Sequence, residues 1–390
     1  MSELFLELFS EEMPPNLQIS ARIQFQKSLI TEMESLKLKF KSCNVYSTPT
    51  RLTTFVSGLS DKIKILPSEV KGPKKGVPES VIENFAKSKN ISLSDLYEKK
   101  LEKGTFYFAK IQGKEIKTED ELIKIIPKSL NTISWKKSMR WSDYNLNWGR
   151  PLISILSIFN NRHLKFKYAH LESVNFTVLE EDTEIKEKKI KNFEDYNLFL
   201  KKNGIILDHE KRAKFISDKI ESIYKSRSCN APIDKKLLLE VSNLVDKPRI
   251  ILAKFDKTYL KLPREVIQST LMYHQRYFTL YDNKDRMSNE FVIVTNQQDS
   301  KKLIKLGNER VVEARLSDAS FFWEKDKSLN LIKQINKLKQ VAFYERLGSI
   351  YDKTQRMRKM DYFVSDQLNL NKEKIEIAAS VSKSDLVSDL

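Results

Sequence analysis

Histidine, cysteine and glycine are scarce in this chain of 390 residues. It contains four histidines, two cysteines and nine glycines. No histidine lies at metal-ligand spacing from another histidine or from a cysteine, and neither a Walker A nor a GxGxxG pattern occurs. The sequence therefore predicts no metal site, and it excludes the common glycine-rich loops that bind phosphates.

Long apolar runs are also missing. The longest clean run, at 152–159, is far too short to span a bilayer. The N-terminus reads MSELFLELFSEEMPP and carries acids where a secretory signal has a basic region. Two cysteines that lie far apart in so long a chain are typical of a reducing compartment. These features predict a cytoplasmic protein with no membrane segment.

Positive charge, in contrast, is abundant. Lysine and arginine number 69 against 52 acidic residues, which gives a formal net charge of +17. Such an excess favours a polyanionic partner, and nucleic acid is the leading candidate, because neutralising phosphates releases counterions and drives binding. The alternative is compositional. AT-rich coding enriches lysine, and the chain would then be a scaffold with no RNA role.

Helical and strand patterns alternate along most of the chain, and only helical patterns occupy its end. A length of 390 residues is enough for two to four domains. We predict an α+β multidomain fold with a mixed α/β region at 1–165 and a second one at 166–330 that ends in a helix at 307–326. The start of an all-α domain follows at 331–390. The chain ends within an apolar helical pattern, which predicts a C-terminally truncated form.

Several shorter patterns predict local structure. Pro14 and Pro15 can open a helix, because proline is tolerated in the first turn. The segment KGPKKGVP at 71–78 predicts a basic loop, and a short helix is expected at 93–100. Thr118 and Glu121 have the spacing of a capping box. The highly charged stretch at 180–191 predicts a loop or a domain seam.

Residues 135–150, WKKSMRWSDYNLNWGR, form the best candidate for a nucleic-acid contact. Bases alternate there with aromatic residues. Basic groups hold phosphates, and aromatic faces can stack on unpaired bases at ~1–3 kcal/mol per base. The same pattern fits tryptophans in a core with solvated bases around them, and both interpretations stay open. The candidate RNA contacts, from this segment, the basic loop and one loop beside His274, are Lys71, Lys74, Lys75, Lys137, Arg140, Trp141, Trp148, Arg150 and Arg276.

The run GNERVVEARLSDASFFWEKD at 307–326 is the most informative stretch of the chain. Gly307 and Asn308 predict a loop or cap, and the helix after them carries an apolar stripe at spacings of four, three and four residues. Charges of both signs lie beside that stripe and suggest more than a solvated face. A packed helix whose surface charges form weak ion pairs fits the same pattern, and both interpretations stay open. Adjacent carboxylates such as Glu11 and Glu12 point apart and make no general acid–base pair by themselves. No residue of the chain is assigned to catalysis. The candidate structural or interface residues of the run at 307–326 are Asn308, Arg310, Arg315, Asp318 and Trp323.

Taken as literal motifs, these segments resemble a known family. Together with 307–326 and LGSIYDK at 347–353, four more stretches agree in order. They are ELFSEEMPP (7–15), STPTRL (47–52), KSMRW with WGRP (137–141 and 148–151), and STLMYHQRYF (269–278). The chain resembles the beta subunit of the bacterial two-subunit glycyl-tRNA synthetase over nearly its whole length. In that family the element EEMPP is a structural N-terminal signature, so the resemblance implies a structural or interface role for Glu11 and Glu12.

This resemblance implies a glycine–tRNA ligase in which an alpha subunit carries the ATP and glycine pockets. No HIGH-like or KMSKS-like adenylation signature occurs here, which agrees with that division. The beta subunit would bind tRNA(Gly) and dock the alpha subunit in an alpha2beta2 heterotetramer. The complex would use ATP and Mg²⁺, with no cofactor on this chain. Between 171 and 179 the chain lacks the family's glycine-histidine-arginine-phenylalanine element, so any function of that element is not carried over.

The resemblance also implies that the C-terminal helices begin a domain related to the HD hydrolases. An active HD site needs histidines with an adjacent aspartate to hold its metal, and the last histidine here, His274, precedes the helical region. The main alternative is a stand-alone RNA-binding or editing-like module without a catalytic partner. A degenerate HD-type hydrolase is another, which the missing histidines disfavour.

Overall fold

The computed structural model describes residues 2–65, 67–89, 91–102, 104–111, 113–181, 184–229 and 232–389. The chain forms two compact units, Met1–Ile216 with Leu238–Pro248, and Ser217–Leu237 with Arg249–Leu390. Helices and several separate sheets occur together, which confirms the α+β class. The boundaries predicted near 165 and 330 lie inside the first and the second unit respectively, and the three-region division stays a prediction.

The first unit is built around a mixed sheet. In chain order its elements are β1 (Ser2–Ser10), α1 (Pro15–Ser35), β2 (Ser42–Thr48), β3 (Arg51–Leu59), β4 (Lys62–Ile65), β5 (Ser68–Lys74), α2 (Glu79–Lys89), β6 (Leu96–Leu101), β7 (Gly104–Ile111), β8 (Lys114–Lys117), α3 (Thr118–Leu130), β9 (Leu152–Phe159), β10 (Arg162–His163), β11 (Lys167–Tyr168), β12 (Leu171–Val174), β13 (Phe176–Glu181), β14 (Glu184–Lys189) and α4 (Phe193–Lys202). Helices α5 (His209–Ser226) and α6 (Lys235–Ser242) follow and contribute residues to both units. The main sheet has the order β11-β12-β9-β1-β3-β2, with β10 paired to β9.

Helix α1 packs on the main sheet, and it begins where Pro14 and Pro15 predict the start of a helix. Pro14 is the N-cap and Pro15 the first helical residue, because an N-terminal turn does not need the amide hydrogen that proline lacks. The apolar stripe from Ala21 to Met33 is buried in the core that β1, β3 and β9 also line, and Leu17 before it is buried as well. Burial of that stripe, rather than helix propensity, holds the helix in place.

An excursion from the main sheet lies between β3 and α3. Strands β4 and β8 pair antiparallel, and beyond them β5, β7 and β6 form a three-stranded sheet that contacts α2. The predicted basic loop is therefore wrong for Lys71 and Lys74, which lie on β5 opposite Phe108 and Phe106. The predicted short helix is a single 3₁₀ turn, Leu93–Asp95, followed by β6.

Two further local predictions about the first unit are wrong. Helix α3 begins at Thr118, but Lys117 is its N-cap, and the Thr118 hydroxyl donates to the Ser60 carbonyl instead of closing a capping box. The charged stretch expected as a loop contains strand β14, which pairs with β13 as a hairpin; residues 182 and 183 lie outside the described part of the chain. The charged residues of β14 lie opposite the less polar strand β13, as Lys186 does opposite Leu179 and Glu187 opposite Val178. Pairing with β13 thus supports a strand that hydrophobic alternation does not reveal.

The second unit combines a small sheet with helices. Its elements are β15 (Arg249–Lys254), α7 (Arg264–Gln268), β16 (Phe278–Tyr281), β17 (Met287–Thr295), α8 (Leu303–Lys327), α9 (Leu331–Gln334), β18 (Ala342–Tyr344), β19 (Gly348–Ser349), α10 (Ile350–Gln367) and α11 (Lys372–Val381). The sheet order is β15-β17-β16, and α8 packs on it. Strands β18 and β19 pair in a region where no strand was expected.

Helix α8 is the long helix expected near 307–326. Val312 and Leu316 are fully buried, and Ala319 and Trp323 pack against the same core, which confirms the apolar stripe. The helix begins four residues before Gly307, at Leu303, so the loop or cap predicted at Gly307 and Asn308 is wrong. Among the described residues, no helix combines the length and apolarity needed to cross a bilayer.

Candidate nucleic-acid interface

A buried ion pair joins two of the motif segments. Glu7 on β1 and Arg51 on β3 are 0% and 2% exposed, and Arg51 Nε lies 3.2 Å from Glu7 Oε2. The Thr177 hydroxyl donates to Glu7 Oε1 at 2.7 Å, and the Tyr196 hydroxyl donates to Oε2. Burial raises the pKa of the Glu7 carboxyl, while Arg51 and the hydroxyl donors oppose that shift. Arg51 Nη1 also lies 3.8 Å from Oδ2 of the partly exposed Asp246. Since the pair itself and both hydroxyl donors are buried, we assign the pair a structural role.

A second buried polar cluster involves two arginines. The Arg212 guanidinium donates to the carbonyls of Ser242 and Ile206, both at 2.6 Å, and to that of Ser47 at 2.9 Å. Arg22 on α1 donates to the Ser47 hydroxyl and to Asn243 Oδ1. Burial is the main cause that lowers the pKa of each arginine to about 10. Ser47, like Arg51, belongs to the STPTRL segment, so that motif stabilises the fold.

His209, at the start of α5, provides a pH test of this cluster. Burial, together with the charges of Arg22 and Arg212, lowers the pKa of His209 to about 4 from 6.5. The unfolded state then binds a proton that the folded state excludes, so stability is complete above about pH 6.5 and falls as pH drops towards 4. We expect a loss on the order of 1–2 kcal/mol, reduced for partial exposure.

The measurement is the urea midpoint at pH 7.5 and at pH 5. His209→Gln cannot take up the proton, so its midpoint should change less between the two pH values than that of the wild type. A variant with the same pH dependence as the wild type would show that His209 is not the group responsible.

Residues 135–150, which we call the aromatic-basic loop, form a loop whose two arms are joined by a β-bridge. Met139 and Trp148 form an antiparallel bridge, with the Met139 amide donating to the Trp148 carbonyl at 2.9 Å. Trp148 is 1% exposed, and its ring lies 4.8 Å from Trp135 and 6.2 Å from Tyr168. Its assignment as an RNA contact is therefore wrong, because a ring enclosed in the core has no face for a base.

The cations of the aromatic-basic loop lie at its surface. Lys136, Lys137 and Arg140 are exposed, and neither lysine makes an ion pair or hydrogen bond with the described residues. Arg140 Nε donates to Asn147 Oδ1 at 3.2 Å, which fixes the side chain across the loop. Arg150 is half-buried and donates to the Gly149 carbonyl at 2.7 Å. The loop thus presents positive charge on a base anchored in the core.

Aromatic rings share that surface. Trp141 is half-buried, Tyr144 is 41% exposed, and both lie beside His170 from the turn between β11 and β12. The Tyr144 and His170 rings are stacked with centroids 3.6 Å apart and an interplanar angle of 4°. The Trp141 ring meets His170 edge-on at 5.8 Å. Sequence reasoning included Trp141 but not His170, which lies far away along the chain.

The other predicted RNA contacts differ in the interactions that their cationic groups already make within the protein. Lys71 Nζ lies 3.6 Å above the Phe106 ring, and Lys75 pairs with Glu98 at 2.7 Å, while Lys74 is exposed. In the second unit, Arg276 is exposed and donates to the carbonyls of Tyr273 and His274. Lys71 and Lys75 already interact with an aromatic ring and a carboxylate, so their ammonium groups are less available to a phosphate than that of Lys137.

The predicted structural residues divide into two groups. Asn308 accepts from the Tyr277 hydroxyl and donates to the Ile304 carbonyl at 2.7 Å, and Trp323 packs on the core, so both hold α8 in place. The remaining five are exposed: Glu11, Glu12, Arg310, Arg315 and Asp318. No group of three or more histidine, cysteine, aspartate or glutamate side chains is placed to hold a metal within the described residues.

Comparison with known proteins supports the family resemblance that the sequence motifs indicate. The family model described as glycyl-tRNA synthetase beta subunit matches residues 4–390. The glycine–tRNA ligase beta subunit of Clostridioides difficile (strain 630) is 37% identical over 99% of this chain. Those of Rickettsia bellii (strain OSU 85-389) and Rickettsia prowazekii (strain Madrid E) are 35% and 36% identical, each over 100% of it. The chain spans 58% of the length of the first relative, 59% of the second and 58% of the third. The chain belongs to the glycyl-tRNA synthetase beta subunit family.

Proposed function

We propose that this chain is the tRNA-binding subunit of a cytoplasmic glycine–tRNA ligase. An alpha subunit forms glycyl-adenylate from ATP, Mg²⁺ and glycine, and this chain positions tRNA(Gly) for transfer within an alpha2beta2 heterotetramer. Holding two reactants in register lowers the barrier without any bond-making residue on the holding chain. Family membership supports the ligase assignment, and the relatives' designation as beta subunits supports an alpha partner.

The RNA-binding part of the proposal is supported mainly by the exposed cations of the aromatic-basic loop. Lys136, Lys137 and Arg140 are exposed, and Trp148 fixes their loop to the core. A net charge of +17 adds a long-range attraction for a polyanion. An anchored basic loop loses little conformational freedom when phosphates bind, so more of its electrostatic attraction remains as affinity.

The exposed side of α8 is proposed as part of the surface that docks the alpha subunit. Arg310, Arg315 and Asp318 are exposed, while the opposite side of the helix packs on the sheet of the second unit. Charges of both signs on a rigid helix favour one orientation of a complementary partner.

Replacing Lys137 and Arg140 together by alanine tests the RNA interface. We expect about tenfold weaker tRNA binding at 0.1 M salt, and a slope of log affinity against log salt that falls by roughly 1–2, because two phosphate contacts are lost. The measurement is a fluorescence-anisotropy titration at several salt concentrations. The matched control is Lys62→Ala with Lys64→Ala, which removes two charges that both lie beside Glu115.

The control variant should keep an affinity within about twofold of the wild type, because its lysines are already paired with a carboxylate. If both double variants weaken binding equally, overall charge rather than the aromatic-basic loop determines affinity. If neither changes the affinity or the salt slope, the loop does not contact tRNA.

A further inference from the structure

Tyr144 and His170 form a stacked pair at the surface of the first unit. Their ring centroids are 3.6 Å apart and nearly parallel, and Trp141 borders the pair edge-on. Tyr144 remains 41% exposed. His170 Nδ1 is buried and makes no hydrogen bond with the described residues, so ring contact is what holds the imidazole here.

Both halves of the pair are attached to the core by neighbouring residues. Trp148 lies further along the loop than Tyr144, and Tyr168 lies just before the turn that carries His170. Trp148 and Tyr168 are buried, and their rings are in contact with each other. The Tyr168 hydroxyl also donates to Asn131 Oδ1 at 3.1 Å. The turns carrying the two rings contain left-handed residues, Ser142 with φ 50° and Ala169 with φ 52°. Non-glycine residues adopt that conformation only at a cost, so the turns are held by their surroundings.

The chemistry of the pair favours a flat, neutral, aromatic ligand. A nucleotide base placed on the open part of Tyr144 would extend the stack, and base–aromatic stacking tolerates any base because every base has a π face. Exposed Lys137 and Arg140 belong to the same loop and suit the phosphates on either side of such a base. Bases inside a duplex are already stacked on each other, so only an unpaired nucleotide can occupy this position.

We infer that Tyr144, supported by His170 and Trp141, is a stacking site for one unpaired nucleotide of the bound RNA. This inference rests on the proposed function and makes it more specific: the aromatic-basic loop holds a single-stranded part of the RNA rather than the backbone of a helix. The aromatic ring of Tyr144 provides the stacking surface, and its hydroxyl group is not needed.

The test uses the full chain and two RNA probes. One is a single-stranded oligonucleotide with 2-aminopurine at a central position, and the other is a blunt duplex of the same length. Tyr144→Leu should weaken single-strand binding about tenfold and leave duplex binding within about twofold, because only stacking is lost. Tyr144→Phe should bind both probes as the wild type does. The 2-aminopurine signal should be quenched on the wild type and on Tyr144→Phe but not on Tyr144→Leu.

The outcomes separate this inference from the proposed function. Equal single-strand affinity and equal quenching for Tyr144→Leu and the wild type would overturn the stacking site while RNA binding itself stands. A wild-type chain that binds neither probe nor tRNA would overturn the RNA-binding function instead. Urea midpoints of both variants are measured first, and His170→Leu provides a second disruption of the stack if Tyr144→Leu does not fold.

Discussion

Replacing Glu7 by alanine is expected to lower the free energy of unfolding by about 3–5 kcal/mol. The substitution removes the carboxylate that lies 3.2 Å from Arg51, which is 2% exposed, and leaves only the partly exposed Asp246, 3.8 Å away, to balance its charge. It also removes the acceptor of the Thr177 and Tyr196 hydroxyl groups. A buried charge that loses its nearest partner costs more than the intact pair contributes, because the remaining ion keeps its desolvation penalty and loses most of its attraction.

The loss is measured as the urea midpoint followed by tryptophan fluorescence, since Trp135, Trp141 and Trp148 lie in the first unit with Glu7. Glu7→Gln keeps one acceptor oxygen, so one of the two hydroxyl groups retains its acceptor, and this variant should lose less than Glu7→Ala. Glu11→Ala is the matched control, because Glu11 is exposed, and its midpoint should stay within error of the wild type. A Glu7→Ala midpoint equal to that of the control would refute the structural role of the ion pair.

The helices were predictable where apolar residues recur at the helical period. The stripes of α1 and α8 follow the helical period over many residues, and the structure buries both. Trp148 shows the limit of such reasoning, because the sequence placed it equally well in a core or on RNA. Its bridge to Met139 and its contact with Tyr168 decide between the two, and they join residues that only the fold brings together.

The missed strands share a different cause. Strands β6 (LYEKKL) and β14 (EIKEKK) are dominated by charged residues, so they lack the apolar alternation that identifies a half-buried strand. Pairing with β7 and β13 makes them strands, and such pairing depends on residues elsewhere in the chain. Gly307 was misleading in the opposite way, since glycine is a common helix boundary but is tolerated within the 25-residue α8.

The buried charges were also beyond the reach of sequence reasoning. Glu7, Arg51 and Arg212 are the kinds of residue that normally lie at the surface, and composition alone assigns them there. Their burial depends on partners in segments far apart in sequence, such as Thr177 for Glu7 and Ser242 for Arg212. Glu7 and Arg51 lie in two of the family motifs, but only the structure shows that their side chains form a buried ion pair.

The proposed function is that this chain binds an RNA and positions it for a reaction at the active site of another subunit. The most direct measurement is glycylation of tRNA(Gly), with ATP and Mg²⁺, by this chain alone, by the alpha subunit from the same genome alone, and by both after co-purification. The account predicts no glycyl-adenylate and no glycyl-tRNA from this chain alone, a stable complex, and at least a hundredfold more glycyl-tRNA from the pair than from either protein alone. Glycine activation by this chain unaided, or a pair no more active than the alpha subunit, would contradict it.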